Sequence, residues 1–221
     1  MLRVSQRGIS FIEIAIGLAI LGISMAWAIP SYSVWMQNMQ IRNMAESIVG
    51  GLQQARSEAL ARNGRAEFIL TSQNPSTAIA QDNLSNLVTA AGPNWMIRAF
   101  TPPGSGATYS YVTGRIGAEG SASATVKAGD DGFTGGIAAV TFDAFGRLTR
   151  DANGAVVNID ASVPMTKICV KSSKLSVSDG ARILEINIST GGQVKMCDPS
   201  VTDVTDPRRC LTAAPRCAQG T

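Results

Sequence analysis

The pattern of apolar and polar positions along this chain changes twice. From Ile9 to Ile29 apolar residues follow one another with few breaks. At ~1.5 Å per helical residue these twenty-one positions make about 31 Å, the thickness of a bilayer's hydrocarbon core. From Gln37 to Arg62 the pattern becomes amphipathic. Ile41, Met44, Ala45, Ile48, Leu52, Ala55 and Ala59 recur at steps of three and four, with Arg42, Glu46, Gln53, Ser57 and Glu58 on the other side. Asn63-Gly64 supplies a helix stop. Gly50-Gly51 weakens the middle, by roughly 1 kcal/mol per glycine, yet the stripe crosses it unbroken. The pattern predicts one helix from Ile9 to about Asn63, roughly 80 Å long and bent at Pro30.

After Gly64 the period becomes two, in short runs broken by Gly, Pro, Asn and Ser. Strands are predicted at Ala66 to Thr71, Trp95 to Phe100, Thr108 to Thr113, Ile137 to Phe142, Ala155 to Ile159, Thr166 to Lys171, Arg182 to Ser189 and Gln193 to Cys197. The last two form a hairpin: Leu184, Ile186 and Ile188 alternate with Glu185 and Asn187, and Thr190-Gly191-Gly192 turns the chain into Val194 and Met196. Ser72 to Gly92 and Gly114 to Gly136 read as long loops, and loops of that length are functional or mobile.

One residue does not fit the first run. An ionised Glu13 inside an apolar span costs about 2.5–3.5 kcal/mol even on a lenient insertion scale. A secretory signal peptide accounts for Arg3, Arg7 and the small-x-small site Ala26-Trp27-Ala28, but its apolar core has only roughly 7–15 residues, and Glu13 hinders it. A plain membrane anchor leaves Glu13 unexplained.

The residues Gly8, Ile9, Ser10, Phe11, Ile12 and Glu13 resemble the amino-terminal signature of type IV prepilins and type II secretion pseudopilins. In that family a short basic leader ends in Gly, prepilin peptidase cuts after it, and the fifth residue of the new chain is Glu. Gly22 and Pro30 fall where such helices carry a glycine and a proline. Ile9 departs from the usual Phe. Further along, Gln54-Ala55-Arg56-Ser57-Glu58-Ala59, Phe142-Asp143-x-x-Gly146-Arg147, Val194-Lys195-Met196-Cys197-Asp198-Pro199 and Asp206-Pro207-Arg208-Arg209-Cys210 look like the GspH/FimT branch of minor pilins. The middle, about Ser72 to Gly136, carries no matching motif.

The resemblance implies an α+β, pilin-like fold: a long N-terminal helix, half membrane-spanning and half amphipathic, packed on an antiparallel β-sheet domain. Its implied parts are a leader at 1–8, a transmembrane and filament-core helix at 9–29, the amphipathic half at 30–64 and a periplasmic β-rich domain at 65–221. It implies cleavage between Gly8 and Ile9, N-methylation of Ile9 and a filament contact from Glu13 to the amino group of Ile9 on an adjacent subunit. Implied partners are other major and minor pilins or pseudopilins, prepilin peptidase, an inner-membrane assembly platform and, before assembly, lipid. The expected location is the inner membrane, single-pass, with the carboxyl-side domain in the periplasm.

Composition narrows the chemistry. There is no histidine, which closes off Ser-His-Asp and Cys-His catalysis and His-based zinc sites. No catalytic residue, metal or cofactor is expected, and Asp130-Asp131-Gly132 reads as a solvated turn. Nineteen basic residues face sixteen acidic ones; loss of Arg3 and Arg7 with the leader leaves seventeen against sixteen, a net of +1. That balance builds no broad field for nucleic acid. DNA uptake, known among FimT-like relatives, is nevertheless an alternative, with Arg147, Arg150, Arg208 and Arg209 as candidate contacts and Lys171, Lys174, Lys195 and Arg216 beside them. A third class is an ordinary secreted or anchored β-rich domain.

The four cysteines, Cys169, Cys197, Cys210 and Cys217, contain no CxxC pair and read as two disulfides formed in an oxidising compartment. Cys169 with Cys197 across the sheet and Cys210 with Cys217 in the tail is the first pairing; Cys197 with Cys210 is the alternative. Arg3 and Arg7 place the amino end inside, as the positive-inside rule requires.

Overall fold

The structure, a computed structural model, describes residues 8, 10–89, 91–100, 108–129, 138–150, 152–158, 160, 162–210 and 217; of residues 26–30 it describes the backbone alone. The chain divides into two units, Met1–Met36 and Gln37–Thr221.

A helix α1 (Phe11–Ala61) opens the chain and is helical through Pro30. In the first unit its apolar side chains stand exposed, from Phe11 and Ile12 through Ile14, Ile16, Leu18, Leu21 and Ile23 to Met25. Among the described residues no helix is long and apolar enough to cross a membrane. The described side chains of the apolar run stop at Met25, and the sequence carries it on through Ile29.

In the second unit α1 is the spine of the core. All seven stripe residues, from Ile41 to Ala59, are buried. The helix ends as its sequence dictates: Asn63 takes a positive φ of 46°, its N–H reaches the Leu60 carbonyl at 3.2 Å, and the Gly64 N–H reaches the Ala59 carbonyl at 3.0 Å. These two bonds satisfy orphan carbonyls in a Schellman arrangement.

Among the described residues eight strands follow: β1 (Arg65–Thr71), β2 (Asn94–Phe100), β3 (Tyr109–Arg115), β4 (Ala124–Gly129), β5 (Ala139–Phe142), β6 (Lys167–Ser172), β7 (Leu184–Ile188) and β8 (Val194–Cys197). They form two four-stranded antiparallel sheets, ordered β3-β2-β1-β5 and β4-β6-β7-β8. The molecule is thus α+β, an N-terminal helix on antiparallel sheets. Alternation along the strands sends Ala66, Phe68, Leu70, Ile97, Val140 and Phe142 of the first sheet, and Val126, Ile168, Val170 and Ile186 of the second, into one core with the stripe of α1.

The two adjacent glycines in the second half of α1, Gly50 and Gly51, differ in purpose. A Cβ on Gly51 meets the Phe68 ring at 2.7 Å and the Trp95 ring at 3.1 Å, so the absent side chain admits the stacked Phe68–Trp95 pair. A Cβ on Gly50 meets nothing within 4 Å. Gly50→Ala is therefore expected to stabilise by about 0.5–1 kcal/mol through helix propensity. Gly51→Leu is expected to destabilise by about 1–3 kcal/mol or more through overpacking. Urea unfolding of the two full-length variants in detergent checks the opposite signs.

Three expectations are corrected. Gly114 to Gly136, read as loop, contains β4, where buried Ala124, Val126 and Ala128 alternate with half-exposed Thr125 and Lys127. Its alternation is built largely from alanine and ends in glycine, residues depleted in strands, and so escapes a search for β-branched runs. Ala155 to Ile159 is not a strand. Val156 bridges Arg150, and Asn158 then donates its backbone N–H to the Ser162 carbonyl at 2.9 Å and its side-chain amide to the Ser162 hydroxyl at 3.2 Å; Ile159 lies outside the described residues.

The cysteine pairing is the third. The disulfides are Cys169–Cys217, with Cα atoms 5.6 Å apart, and Cys197–Cys210, at 5.1 Å. Cys169 with Cys197, the first expectation, is ruled out by strand order. β7 lies between β6 and β8, and Glu185 is the register partner of both cysteines. Two strand spacings of ~4.8 Å separate them by about 9.6 Å, beyond disulfide reach.

Candidate assembly helix and charged clusters

The expected assembly residues lie at the start of α1. Gly8 and Ser10 are exposed and precede the helix, and Ile9 lies outside the described residues. The Ser10 carbonyl accepts the N–H groups of Glu13 at 3.0 Å and Ile14 at 3.3 Å. Glu13 therefore stands in the first turn, where unsatisfied N–H groups and the helix dipole favour a carboxylate. Ser10 and Glu13 also have capping-box spacing. Among the described residues Glu13 makes no ion pair, and exposed Phe11, Ile12, Ile14 and Ile16 lie beside it along the helix.

The second charged cluster was not anticipated from sequence. Glu67 and Arg98 are register partners on β1 and β2, with side chains 0% and 1% exposed. Arg98 Nε and Nη2 each lie 2.7 Å from Glu67 Oε2, and Nη1 donates to the carbonyls of Ala80 at 3.1 Å and Asp82 at 2.7 Å. The guanidinium lies 3.6 Å from the Tyr109 ring centroid, and Thr141 Oγ1 donates to Glu67 Oε1 at 3.0 Å. Burial pushes the Glu67 carboxyl above its ordinary value, opposed by the Arg98 charge.

These groups occupy the outer face of the first sheet, where Ile69, Met96 and Ala139 pack with Leu84 and Leu87. Ser72 to Gly92, expected as a loop, supplies that cover through a 3-10 turn, Ile79–Gln81, and a short helix α2 (Leu84–Leu87). The available sequence signal was a single charge of opposite sign in each of two neighbouring apolar strands.

The candidate DNA contacts do not converge on free cations. Arg147 pairs with Asp143 at 3.2 Å and lies 5.0 Å over the Phe145 ring, while Arg150 donates to the Gly154 carbonyl at 2.6 Å. Arg208 pairs with Asp206 at 2.7 Å, and its hydrogen bonds hold that carboxyl down to about 2. Arg209 is half-buried in the bridge to Asp198, with its Nε buried and unpartnered. Lys174 is exposed, Lys195 half-buried, and Lys171 half-buried with partners of its own; Arg216 lies outside the described residues.

The carboxyl-side acids behave as turn residues. Asp143, Asp160, Asp198, Asp203 and Asp206 each accept the backbone N–H two residues on. Asp130-Asp131-Gly132 lies outside the described residues. Glu185, Cys197 and Cys210 cluster closely enough to suggest metal ligands, but both sulfurs are bound in a disulfide and offer no thiolate.

No family model matches the sequence, and no curated protein matches it. Among solved structures, the chain is similar to two crystal structures of the Pseudomonas aeruginosa (strain PAO1) type IV minor pilin FimU, at 18% identity. One, in space group P65, is matched over 70% of this chain and 90% of that chain with a TM-score of 0.38. The other, in P21, is matched over 71% and 87% with a TM-score of 0.40. Similarity of this size carries no functional argument.

Proposed function

We propose that the chain is a minor pilin or pseudopilin, a structural subunit that helps initiate or cap a type IV pilus or a type II secretion pseudopilus after removal of residues 1–8. The observation that carries this reading is one helix with two opposite halves. Its amino-terminal half leaves an apolar surface and one carboxylate, Glu13, without an ion pair among the described residues, exposed directly after the Gly8-Ile9 junction, while its second half is the spine of a folded domain.

A chain so built is stored with the first half in lipid and assembled by transferring that half into a bundle of like helices. Lipid-to-protein transfer has little hydrophobic drive, so a directional polar contact decides register and recruitment. Glu13 provides it, meeting the amino group created at Ile9 of a neighbour. On this reading the first unit sits in the inner membrane and the second in the periplasm, where both disulfides form. Arg147, Arg150 and Arg208 are tied to local acceptors and Arg209 is half-buried, so DNA uptake is not adopted. The test is co-purification of full-length protein with pilin-class subunits from detergent-solubilised filaments, compared with Glu13→Ala.

A further inference from the structure

The apolar run of α1 ends at Ile29, yet the exposed apolar surface of the first unit does not. Tyr32 and Trp35, three residues apart on one helix face, are 59% and 56% exposed, with ring centroids 5.8 Å apart. Both belong to the first unit, Met1–Met36. No Asp, Glu, Lys or Arg occurs between Glu13 and Arg42.

Their position along the helix coincides with a particular layer. Tyr32 and Trp35 lie 23 and 26 residues beyond Ile9, about 35 and 39 Å of helix, against roughly 30 Å of hydrocarbon and 40–45 Å with headgroups. If Ile9 marks the cytoplasmic boundary of the hydrocarbon, the opposite headgroup layer lies at about 30 to 37 Å; Tyr32 falls within it, and Trp35, whose side chain leans back toward the helix N-terminus, reaches its outer edge. Tyrosine and tryptophan favour that layer because each joins an apolar ring to a polar O–H or N–H. Arg3 and Arg7 mark the other end by charge.

We propose that Tyr32 and Trp35 form an aromatic anchor that holds the stored subunit at a fixed depth by occupying the headgroup layer of the outer leaflet. The pair continues the apolar surface already assigned to lipid, and the proposal rests on that membrane reading. Its occupant is the phospholipid interface, not a second protein. The anchor fixes how far Glu13 lies below the opposite surface, and so where an incoming subunit finds it.

The test uses the full chain in phosphatidylcholine vesicles carrying bromine either near the glycerol end or near the methyl end of the acyl chain. Trp27→Phe removes the other tryptophan of the run; Trp95, buried and bonded to Ser47 at 3.0 Å, contributes a constant background. The Trp35 signal is the difference between Trp27→Phe and Trp27→Phe/Trp35→Phe. Glycerol-end bromine is expected to quench it about twofold or more better than methyl-end bromine. Stronger quenching by methyl-end bromine, or none from either, overturns the anchor; a blue-shifted but unquenched Trp35 assigns the face to protein contact and overturns it too. Leu18→Trp in the doubly substituted background reports the middle of the run. Deep quenching there with none at Trp35 defeats the anchor alone, whereas no quenching at Leu18→Trp defeats the membrane reading itself.

Discussion

Glu13→Ala is expected to leave the protein in the membrane fraction and remove nearly all of it from the filament. In lipid the substitution relieves a cost of at most about 2.5–3.5 kcal/mol, the figure for a charge at the middle of a span, so insertion is unchanged or improved. In a filament it leaves the amino group at Ile9 of a neighbour without its counter-charge inside an apolar bundle. Breaking one partner of a buried ion pair costs about 3–5 kcal/mol, which corresponds to a drop of two orders of magnitude or more in incorporation. Glu13→Gln keeps shape and hydrogen bonding and is expected to recover only part of the loss. Quantitative co-purification of all three forms with pilin subunits is the readout. Equal recovery of Glu13→Ala and parent protein would remove the role given to Glu13.

Arg98→Met is expected to produce the largest loss of stability in the folded domain, about 3–5 kcal/mol near neutral pH, because it strands the Glu67 carboxylate in the core. Glu67→Met/Arg98→Met is expected to recover most of it, since replacing both partners removes the uncompensated charge.

The pH dependence has a definite sign. Burial raises the folded carboxyl of Glu67 above its ordinary value of 4.5, and Arg98 opposes that rise. A carboxyl raised by folding binds its proton more tightly in the native state, so its contribution is fully present below about 4.5 and is lost as pH rises through the folded value. Arg98→Met leaves burial unopposed and widens that window. The gap between variant and parent should therefore be smaller at pH 5 than at pH 8 in urea unfolding. A pH-independent gap would show that Glu67 is not the group left exposed to the penalty.

Legibility from sequence followed the length and strength of each pattern. The stripe from Ile41 to Ala59 was readable because it repeats over five turns and all its members are buried, and the Asn63-Gly64 stop because a left-handed residue is required there. The β7–β8 hairpin was readable from strict alternation about Thr190-Gly191-Gly192. β4 was not, because alanine and glycine carry little strand signal. The disulfides were undecided because they depend on strand order: only placement of β7 between β6 and β8 separates Cys169 from Cys197.

The candidate site divides the same way. Glu13 was visible as a charge out of place in an apolar run. Glu67 and Arg98 were not, since each looks like an ordinary charged residue until the register of β1 and β2 sets them opposite one another under a cover supplied by residues 72–92. The candidate cations at Arg147 and Arg208 looked available in sequence, but in the fold each finds a carboxylate two or four residues away.

The central claim is that Gly8-Ile9 is a processing junction that creates an assembly helix, and intact-mass and peptide mass spectrometry of the protein from its native membrane tests it most directly. The account predicts a mature chain beginning at Ile9, carrying a methyl group on the new amino terminus. A chain beginning at Ile29, as secretory cleavage after Ala26-Trp27-Ala28 produces, or one retaining residues 1–8, would contradict it.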